Sequence, residues 1–297
     1  MLSLLAASGA AAEPLYWSDL GLFPGFDLGF FTLRFYSLAY LIGVLFAYWH
    51  LSKSLKQPGA PMAQRHADDL FFYCTLGVIL GGRLGYAIFY NPEIWANPLD
   101  VLKLWEGGMS FHGGLIGVLL AIAWVSRSGK LSFLRVCDYI AITYPLGHFL
   151  GRLANFNNGE LWGRASDVPW AMVFCDGIPR EGVRCATTEI ARHPSQLYQA
   201  GLEGLLPFIV LMLLFWKTNA RYRPGLLVGT FTIMMGIARF VNEFFREPDS
   251  QLAEFAVRTG LSMGQWLTIP LILIGLIVTL YAVKRKPVGT GSVSATA

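Results

Sequence analysis

Several apolar segments of the chain carry ionisable or hydrogen-bonding side chains near one of their two ends. Charge is costly in hydrocarbon, so an ionisable residue inside an apolar span is by default a candidate functional residue. Guanidinium groups pair bidentately with phosphate, and several arginines at one depth therefore predict a site that binds a phospholipid headgroup. The set comprises Arg34, Tyr36, Arg83, Tyr86, Ser110, His112, His148, Arg152, Asn155, Arg239, Asn242 and Glu243.

Each of these residues also has a purely structural interpretation. Arg239 and Glu243 stand four residues apart and could neutralise each other on one helix face. The side chain of Arg34 could extend to the lipid headgroups, and a single histidine such as His112 is commonly a structural hydrogen-bonding residue. The glycines at 81–85 favour close helix packing, whereas those at 107–117 also suit an irregular backbone that lines a cavity.

The elements that carry these residues are apolar stretches of membrane-spanning length. Of the 297 residues, 54% are hydrophobic and 14% are charged, whereas soluble domains contain about 25% charged residues. A helix needs about 20 apolar residues to cross a bilayer. We therefore predict an all-α, polytopic integral membrane protein with about seven transmembrane helices. The predicted spans are Phe31 to His50, Leu70 to Tyr90, Met109 to Ser126, Leu134 to Phe156, Leu197 to Trp216, Leu226 to Phe245 and Met263 to Val283.

The basic residues predict how these spans are oriented. Every second connection is basic, from Lys53 and Lys56 in the first to Arg285 in the tail, while residues 1–30 contain no Lys or Arg. By the positive-inside rule, the N terminus is extracytoplasmic and the C terminus is cytoplasmic. The polar set then lies toward the extracytoplasmic side, and we expect no matching set at the cytoplasmic side.

The predicted organisation follows from these boundaries. It comprises an extracytoplasmic N-terminal segment (1–30), transmembrane helices 1–4 (31–156), a periplasmic head formed by the connection 157–195, transmembrane helices 5–7 (196–286) and a disordered cytoplasmic tail (287–297). Residues 1–30 lack the basic start of a signal peptide, so we expect this segment to remain uncleaved. The head contains Cys175 and Cys185, for which a disulfide in an oxidising compartment is a hypothesis.

Residues 151–163 read GRLANFNNGELWG, which resembles the signature of the bacterial prolipoprotein diacylglyceryl transferases. Other stretches agree with that family in order and spacing, and the resemblance covers Phe23 to Lys286. They are FPGFDLG at 23–29, LGGRLGY at 80–86, GGMSFHGGL at 107–115, RHPSQLY at 192–198 and RFVNEFFR at 239–246.

The resemblance implies an enzyme of the bacterial cytoplasmic membrane that moves the diacylglyceryl group of phosphatidylglycerol onto a cysteine thiol. The acceptor is the lipobox cysteine of a lipoprotein precursor that still carries its signal peptide, and the products are a thioether and glycerol phosphate. The chain's residues at the family's important positions are Tyr36, His112, Arg152, Asn155, Glu160, Gly163, Arg239 and Glu243.

The predicted site fits this chemistry. A thiol with a pKa near 8.5 needs a base at neutral pH, and we assign this role to His112. The departing phosphate needs cations, which we assign to Arg152 and Arg239. Glu243 is expected to orient Arg239, while Tyr36 donates a hydrogen bond to the substrate. Asn155, Glu160, Gly163 and Arg83 complete the predicted headgroup site; no metal, cofactor or nucleic acid is predicted.

Some positions depart from the family pattern, and most lie around the proposed site. They are Arg34, Ser37, Phe149, Asn157 and Met235, the last standing where a tyrosine is expected. These departures leave open an altered paralogue that binds phospholipid without transfer or uses a different lipid or acceptor. A transporter is less consistent with the chain, because no inverted repeat is visible.

Overall fold

The computed structural model describes residues 15–29, 32–175, 190–247 and 258–288. This part of the chain is mostly helical. Its longer helices are α1 (Phe35–Leu55), α2 (Gln64–Phe89), α3 (Phe111–Ser128), α4 (Phe133–Ala141), α5 (Tyr144–Asn157), α6 (Ser195–Lys217), α7 (Leu226–Asn242) and α8 (Met263–Lys284).

A multi-pass membrane architecture is confirmed. Five helices, α1, α2, α3, α6 and α8, are long and apolar enough to cross a bilayer, and α7 is a shorter apolar helix. Side chains on their outer surfaces are largely apolar and exposed, as lipid-facing residues must be. The number of crossings and the orientation of the termini stay predictions.

The fourth predicted span, Leu134 to Phe156, is not one continuous helix. Helix α4 ends at Ala141 and α5 begins at Tyr144. Pro145 in the first turn of α5 has no N–H to continue an upstream hydrogen-bond ladder, and the Thr143 hydroxyl donates to the carbonyl oxygen of Ile140 at 2.8 Å. Hydrophobicity alone did not reveal this break.

The first predicted span also begins later than expected. Residues 32–34 form strand β3 (Thr32–Arg34), which pairs antiparallel with β2 (Gly25–Asp27) before α1 starts at Phe35. Arg34 is therefore exposed on a strand next to the helix and does not lie inside the first span.

Helices α2 and α3 pack against each other through glycines. A Cβ on Gly113 would overlap the carbonyl oxygen of Gly81, and a Cβ on Gly85 would lie 2.9 Å from the Cα of Gly113. This confirms the close-packing interpretation of the glycines at 81–85. Ser110 caps α3, its hydroxyl accepting from the Gly113 N–H at 3.2 Å.

The connection between α5 and α6 forms a small packed unit in its described part. Strand β4 (Met172–Val173) pairs in parallel with β1 (Leu15–Tyr16). Trp17, Met172 and Phe174 are buried together, and the Trp17 indole N–H donates to the carbonyl oxygen of Phe156 at 2.8 Å. The N-terminal segment is thus a component of the predicted head, which the sequence did not suggest.

The cysteines fall into two groups. Cys74 and Cys137 are free and lie on helices. Cys175 is disulfide-bonded; its predicted partner Cys185 lies outside the described residues, so the pairing between these two cysteines stays a prediction. The start of the 1–30 segment and most of the 287–297 tail also lie outside the described residues.

The end of the helix bundle that is predicted to face the cytoplasm has buried polar groups that we did not expect. Asp138 on α4 accepts hydrogen bonds from the backbone N–H groups of Gly225 (2.7 Å) and Val228 (2.8 Å) and so caps the N-terminus of α7. Arg135 donates to the carbonyl oxygen of Gly59. The expectation that the end predicted to be cytoplasmic lacks a polar set was wrong. Asp138 is satisfied by backbone N–H groups, whereas the Nε of Arg135 is buried without a hydrogen-bond partner among the described residues.

Candidate active site

Arg152 on α5 lies near Arg239 and Arg246 at the end of α7. Arg152 interacts electrostatically with both of them and with the carboxylate of Glu203 on α6. Like charges repel at short range, so three arginines brought together by two helices favour an anionic ligand between them. Guanidinium groups suit phosphate in particular.

Most N–H donors of this cluster have no acceptor within the part of the chain that the structure describes. Among the described residues, Arg152 donates one hydrogen bond, to the Asn155 side-chain oxygen at 3.3 Å. Arg239 forms an ion pair with Glu243, with an Nη2–Oε2 distance of 3.3 Å. An arginine has five N–H donors, so both guanidinium groups retain donors for a ligand.

Glu243 supplies negative charge to two members of the cluster. Besides Arg239, it lies 3.9 Å from the Nη1 of Arg246, and its own side chain is mostly buried. Helix α8 leaves room for the carboxylate, because a Cβ on Gly264 would lie 2.7 Å from the Cδ of Glu243. The ion pair expected from the spacing of Arg239 and Glu243 is therefore present.

The signature motif forms a tightly bonded turn after α5. The Asn155 side-chain N–H donates to the Glu160 carboxylate at 2.8 Å, and that of Asn158 donates to the same oxygen at 3.1 Å. Gln196 at the start of α6 donates to the Glu160 carbonyl oxygen at 2.7 Å. Asn155, which also accepts from Arg152, thus connects the arginine cluster with the Glu160 turn.

Gly163 joins this turn to the end of α7. It forms an antiparallel bridge with Arg246, and its N–H donates to the His193 carbonyl oxygen at 2.8 Å. A Cβ on Gly163 would overlap the Phe245 carbonyl oxygen and lie 2.8 Å from the Cβ of His193. Burial lowers the pKa of His193. Gly163 is therefore required for backbone packing, which explains its place in the motif.

Tyr36 lies at the start of α1 with its ring 5.2 Å from that of Tyr40. It is 38% exposed and interacts electrostatically with Arg152 and Glu160. The structure therefore brings Tyr36 together with the residues of α5 and the Glu160 turn, as the site prediction required.

His112 is placed differently. It is exposed in the first turn of α3 and its ring contacts that of Phe111. Within the described part of the chain, no hydrogen bond or ion pair links the His112 side chain to the arginine cluster or to any other residue. The structure does not test its predicted role as a base.

Arg83 has its own complete set of partners. It is 3% exposed, and its guanidinium donates to carbonyl oxygens of the 100–108 segment. The acceptors are Asp100 (2.8 Å), Val101 (2.8 Å), Lys103 (3.0 Å), Gly107 and Gly108 (3.2 Å). All five N–H donors are thereby occupied, so Arg83 fixes the segment before α3 and has none left for a headgroup.

Sequence reasoning missed Glu203, which is 2% exposed in the middle of an apolar span. Its Oε2 lies 3.0 Å from the Nε2 of His148, and its Oε1 accepts from Asn242 at 2.8 Å. The residue lies in a π-helical turn of α6, Ala200–Leu205, a feature frequent at functional sites. A signal was available, since Glu203 is an ionisable residue inside the predicted fifth span.

Three of the five departures from the family pattern, Phe149, Asn157 and Arg34, are accommodated locally. Phe149 packs over Gly204, where a Cβ would lie 2.6 Å from the Cβ of Phe149. Asn157 donates to the carbonyl oxygen of Phe23. Arg34 pairs with Gly25 in the β2–β3 ladder. Nothing in the structure explains Met235.

Comparison with known proteins agrees with the motifs. The chain matches the sequence model of the prolipoprotein diacylglyceryl transferase family over residues 25–281. It is 65% identical to the phosphatidylglycerol–prolipoprotein diacylglyceryl transferase of Erythrobacter litoralis, over 95% of this chain and 96% of the relative. The enzyme of that name from Zymomonas mobilis is 50% identical over 92% and 95% of the two chains. The one from Rhodospirillum rubrum is 49% identical over 88% and 92%.

The order of the motifs, the apolar helices, the clustered arginines and the full-length similarity agree, and the chain belongs to the prolipoprotein diacylglyceryl transferase family.

Proposed function

We propose that the protein transfers the sn-1,2-diacylglyceryl group of phosphatidylglycerol to the lipobox cysteine thiol of prolipoproteins. The products are a thioether-linked lipid and glycerol phosphate, as in the first step of lipoprotein maturation. The observation that carries the proposal is the convergence of Arg152 and Arg239, whose N–H donors are mostly unused by the described residues. Such a cluster on apolar helices suits a phosphate that is presented from a bilayer.

The proposed reaction is a displacement at a saturated carbon. The thiolate sulfur attacks the glyceryl C3, the bond between C3 and the phosphate oxygen breaks, and the electron pair leaves with that oxygen. Arg152 and Arg239 stabilise the charge that gathers on the departing phosphate. Glu243 orients Arg239, and Tyr36, Asn155 and Glu160 contact the glyceryl and headgroup oxygens.

We assign generation of the thiolate to His112. In a displacement at carbon, the attacking and leaving atoms lie on opposite sides of the reacting centre. A base that is not bonded to the arginine cluster suits this geometry, because the thiol then approaches from the side away from the phosphate. His112 is exposed at a helix start, where a signal peptide could bring its cysteine.

We further propose seven membrane crossings, with α4 and α5 together forming the fourth. In this topology the N terminus, the head and the arginine cluster lie on the periplasmic side and the C terminus is cytoplasmic. Both substrates are held in the membrane, so entry between helices from the bilayer is expected.

The proposal is tested with the purified protein in detergent, phosphatidylglycerol and a synthetic lipobox peptide. The expected result is a peptide mass gain of one diacylglyceryl unit with stoichiometric release of glycerol phosphate. Arg152→Gln and Arg239→Gln should each lower transfer by about 10²- to 10³-fold, whereas Arg127→Gln, at an exposed arginine on the other end of α3, should leave it unchanged. No transfer by the wild type with phosphatidylglycerol or other phospholipids would favour the altered-paralogue alternative.

A further inference from the structure

Tyr144, His148 and Glu203 form a hydrogen-bonded network that interacts with Arg152. None of the three has a role in the displacement proposed for this protein. Exposure rises along the network, from 3% for the Glu203 side chain and 12% for that of His148 to 36% for Tyr144. The Tyr144 hydroxyl lies 3.4 Å from the Nδ1 of His148 and interacts electrostatically with Arg152. The most exposed member of the network is thus Tyr144, which interacts with an arginine of the proposed phosphate site.

Hydrogen-bond donors and acceptors restrict the protonation of this network. Glu203 accepts from the Asn242 amide and is near Arg152 and Arg239, so its carboxylate carries the negative charge. The Nε2 of His148, 3.0 Å from the other carboxylate oxygen, must then be the protonated nitrogen. When His148 is neutral, Tyr144 donates to Nδ1. When His148 is charged, Nδ1 donates to Tyr144, and the Tyr144 O–H is free to donate to a ligand.

The proposed reaction conserves protons overall, and a proton donor on the phosphate side would assist it. The thiol loses one proton, and the departing phosphate, as a glycerol phosphate monoanion, gains one. A phosphate monoester has a second pKa of about 6. A proton delivered during bond cleavage therefore lowers the negative charge on the phosphate that must be stabilised. The arginines donate hydrogen bonds to the phosphate but do not give up a proton, so a site with only a base on the thiol side has no general acid for the phosphate.

We propose that Tyr144 is a catalytic residue that protonates the departing phosphate, with His148 as the source of the proton and Glu203 as its positioning residue. As the bond from C3 to oxygen breaks, the Tyr144 O–H proton moves to a phosphate oxygen and the Nδ1 proton of His148 moves to the Tyr144 oxygen. His148 ends neutral and His112 ends protonated; exchange with solvent restores both. This inference rests on the proposed function.

The groups that face this network define its expected pH dependence. Tyr40 on α1 interacts with Tyr144, and Phe231 on α7 packs its ring 5.5 Å from that of Tyr144. Arg152 and Arg239 face Glu203. An acid is active only while protonated, so wild-type kcat should fall at high pH, where His148 no longer holds the proton that it supplies. A base is active only while unprotonated, so the role proposed for His112 predicts that kcat also falls at low pH.

The test compares wild type, Tyr144→Phe, His148→Gln and the double variant in the transfer assay between about pH 5.5 and 9. We expect kcat to fall by about 10- to 100-fold in each single variant, at or below the lower limit typical of general acids, with little change in KM for phosphatidylglycerol. The alkaline limb should vanish in His148→Gln. The double variant should be no slower than the slower single variant, because the two residues act as a unit.

Tyr139→Phe is the matched control, since this buried hydroxyl on α4 has no hydrogen-bond partner in the described part of the chain, and it should retain wild-type kcat. Multiplicative losses in the double variant, or an alkaline limb that survives in His148→Gln, would overturn the inference. Thermal unfolding of each variant separates misfolding from lost chemistry. A wild type that releases no glycerol phosphate refutes the proposed function itself, whereas an active wild type with unaffected variants refutes only this inference.

Discussion

Arg83 and Arg152 are both arginines in apolar helices, and both belong to motifs shared with the family, yet their surroundings differ. Arg83 donates five hydrogen bonds to backbone carbonyl oxygens and is 3% exposed. Arg152 donates one, within the described residues, and has two further arginines nearby. An arginine whose donors are saturated by the fold stabilises the fold; one whose donors are unused among like charges is available for a ligand anion.

The same contrast separates two of the buried carboxylates, those of Asp138 and Glu203. Asp138 is bonded to backbone N–H groups at a helix start, whereas Glu203 is bonded to the side chains of His148 and Asn242. Backbone partners fix an element in place. Side-chain partners, one of them titratable, can change protonation during a reaction.

Replacing Arg152 or Arg239 by glutamine should give the largest effect. We expect transfer to fall by about 10²- to 10³-fold, as when a preorganised donor to a developing anion is removed. Thermal unfolding in detergent should change little, because few protein contacts are lost. Glycerol phosphate release measures the rate of transfer. A large loss of stability without a specific loss of kcat would mean that these arginines stabilise the fold, as Arg83 does.

Arg83→Lys should lower stability and leave lipid binding unchanged, which is the reverse of the result expected for Arg152 and Arg239. Lysine has three donors, so at least two carbonyl oxygens lose their partner, at a cost of about 1–3 kcal/mol each. We expect a clearly lower unfolding temperature and a KM for phosphatidylglycerol close to wild type in the folded fraction. If KM rises while stability is unchanged, Arg83 contacts the headgroup as the sequence predicted.

Gly163→Ala extends the comparison to the backbone at the site. The added methyl group overlaps the Phe245 carbonyl oxygen, and such overpacking costs about 1–3 kcal/mol. Gly201→Ala is the control, because a Cβ there meets nothing within 4 Å. Thermal unfolding should separate the two variants, and equal stability would contradict the tight junction between the signature turn and α7.

Glu243→Gln should produce the smallest effect. It removes the negative partner of Arg239 and Arg246 but keeps the side-chain shape. We expect kcat to fall about tenfold, which corresponds to about 1.4 kcal/mol, because Arg239 is less well oriented. Measured kcat and KM would decide; an unchanged kcat would mean that Arg239 is positioned by other contacts.

Much of the fold and part of the site could be predicted from the sequence. Membrane spans follow from length and hydrophobicity, because the bilayer imposes both. The association of Arg152, Asn155 and Glu160 is local and lies within one motif. The ion pair of Arg239 and Glu243 follows from helical spacing.

Other features depend on contacts between distant segments and could not be predicted in this way. The backbone partners of Arg83 lie 17 to 25 residues away, so its buried charge looked available for a ligand. The pairing of Leu15–Tyr16 with Met172–Val173 has no pattern in either two-residue strand. Glu203 could have been found, since the rule for ionisable residues in spans applies to it.

The most direct measurement compares the affinity of the protein for phosphatidylglycerol with its affinity for a diacylglycerol of identical acyl chains, which lacks the phosphate. If Arg152 and Arg239 hold the phosphate, the wild type should prefer phosphatidylglycerol, and the Arg152→Gln/Arg239→Gln double variant should lose that preference. Arg83→Lys should keep it. A double variant that retains the preference, with Arg83→Lys losing it, would contradict the assignment of the phosphate site.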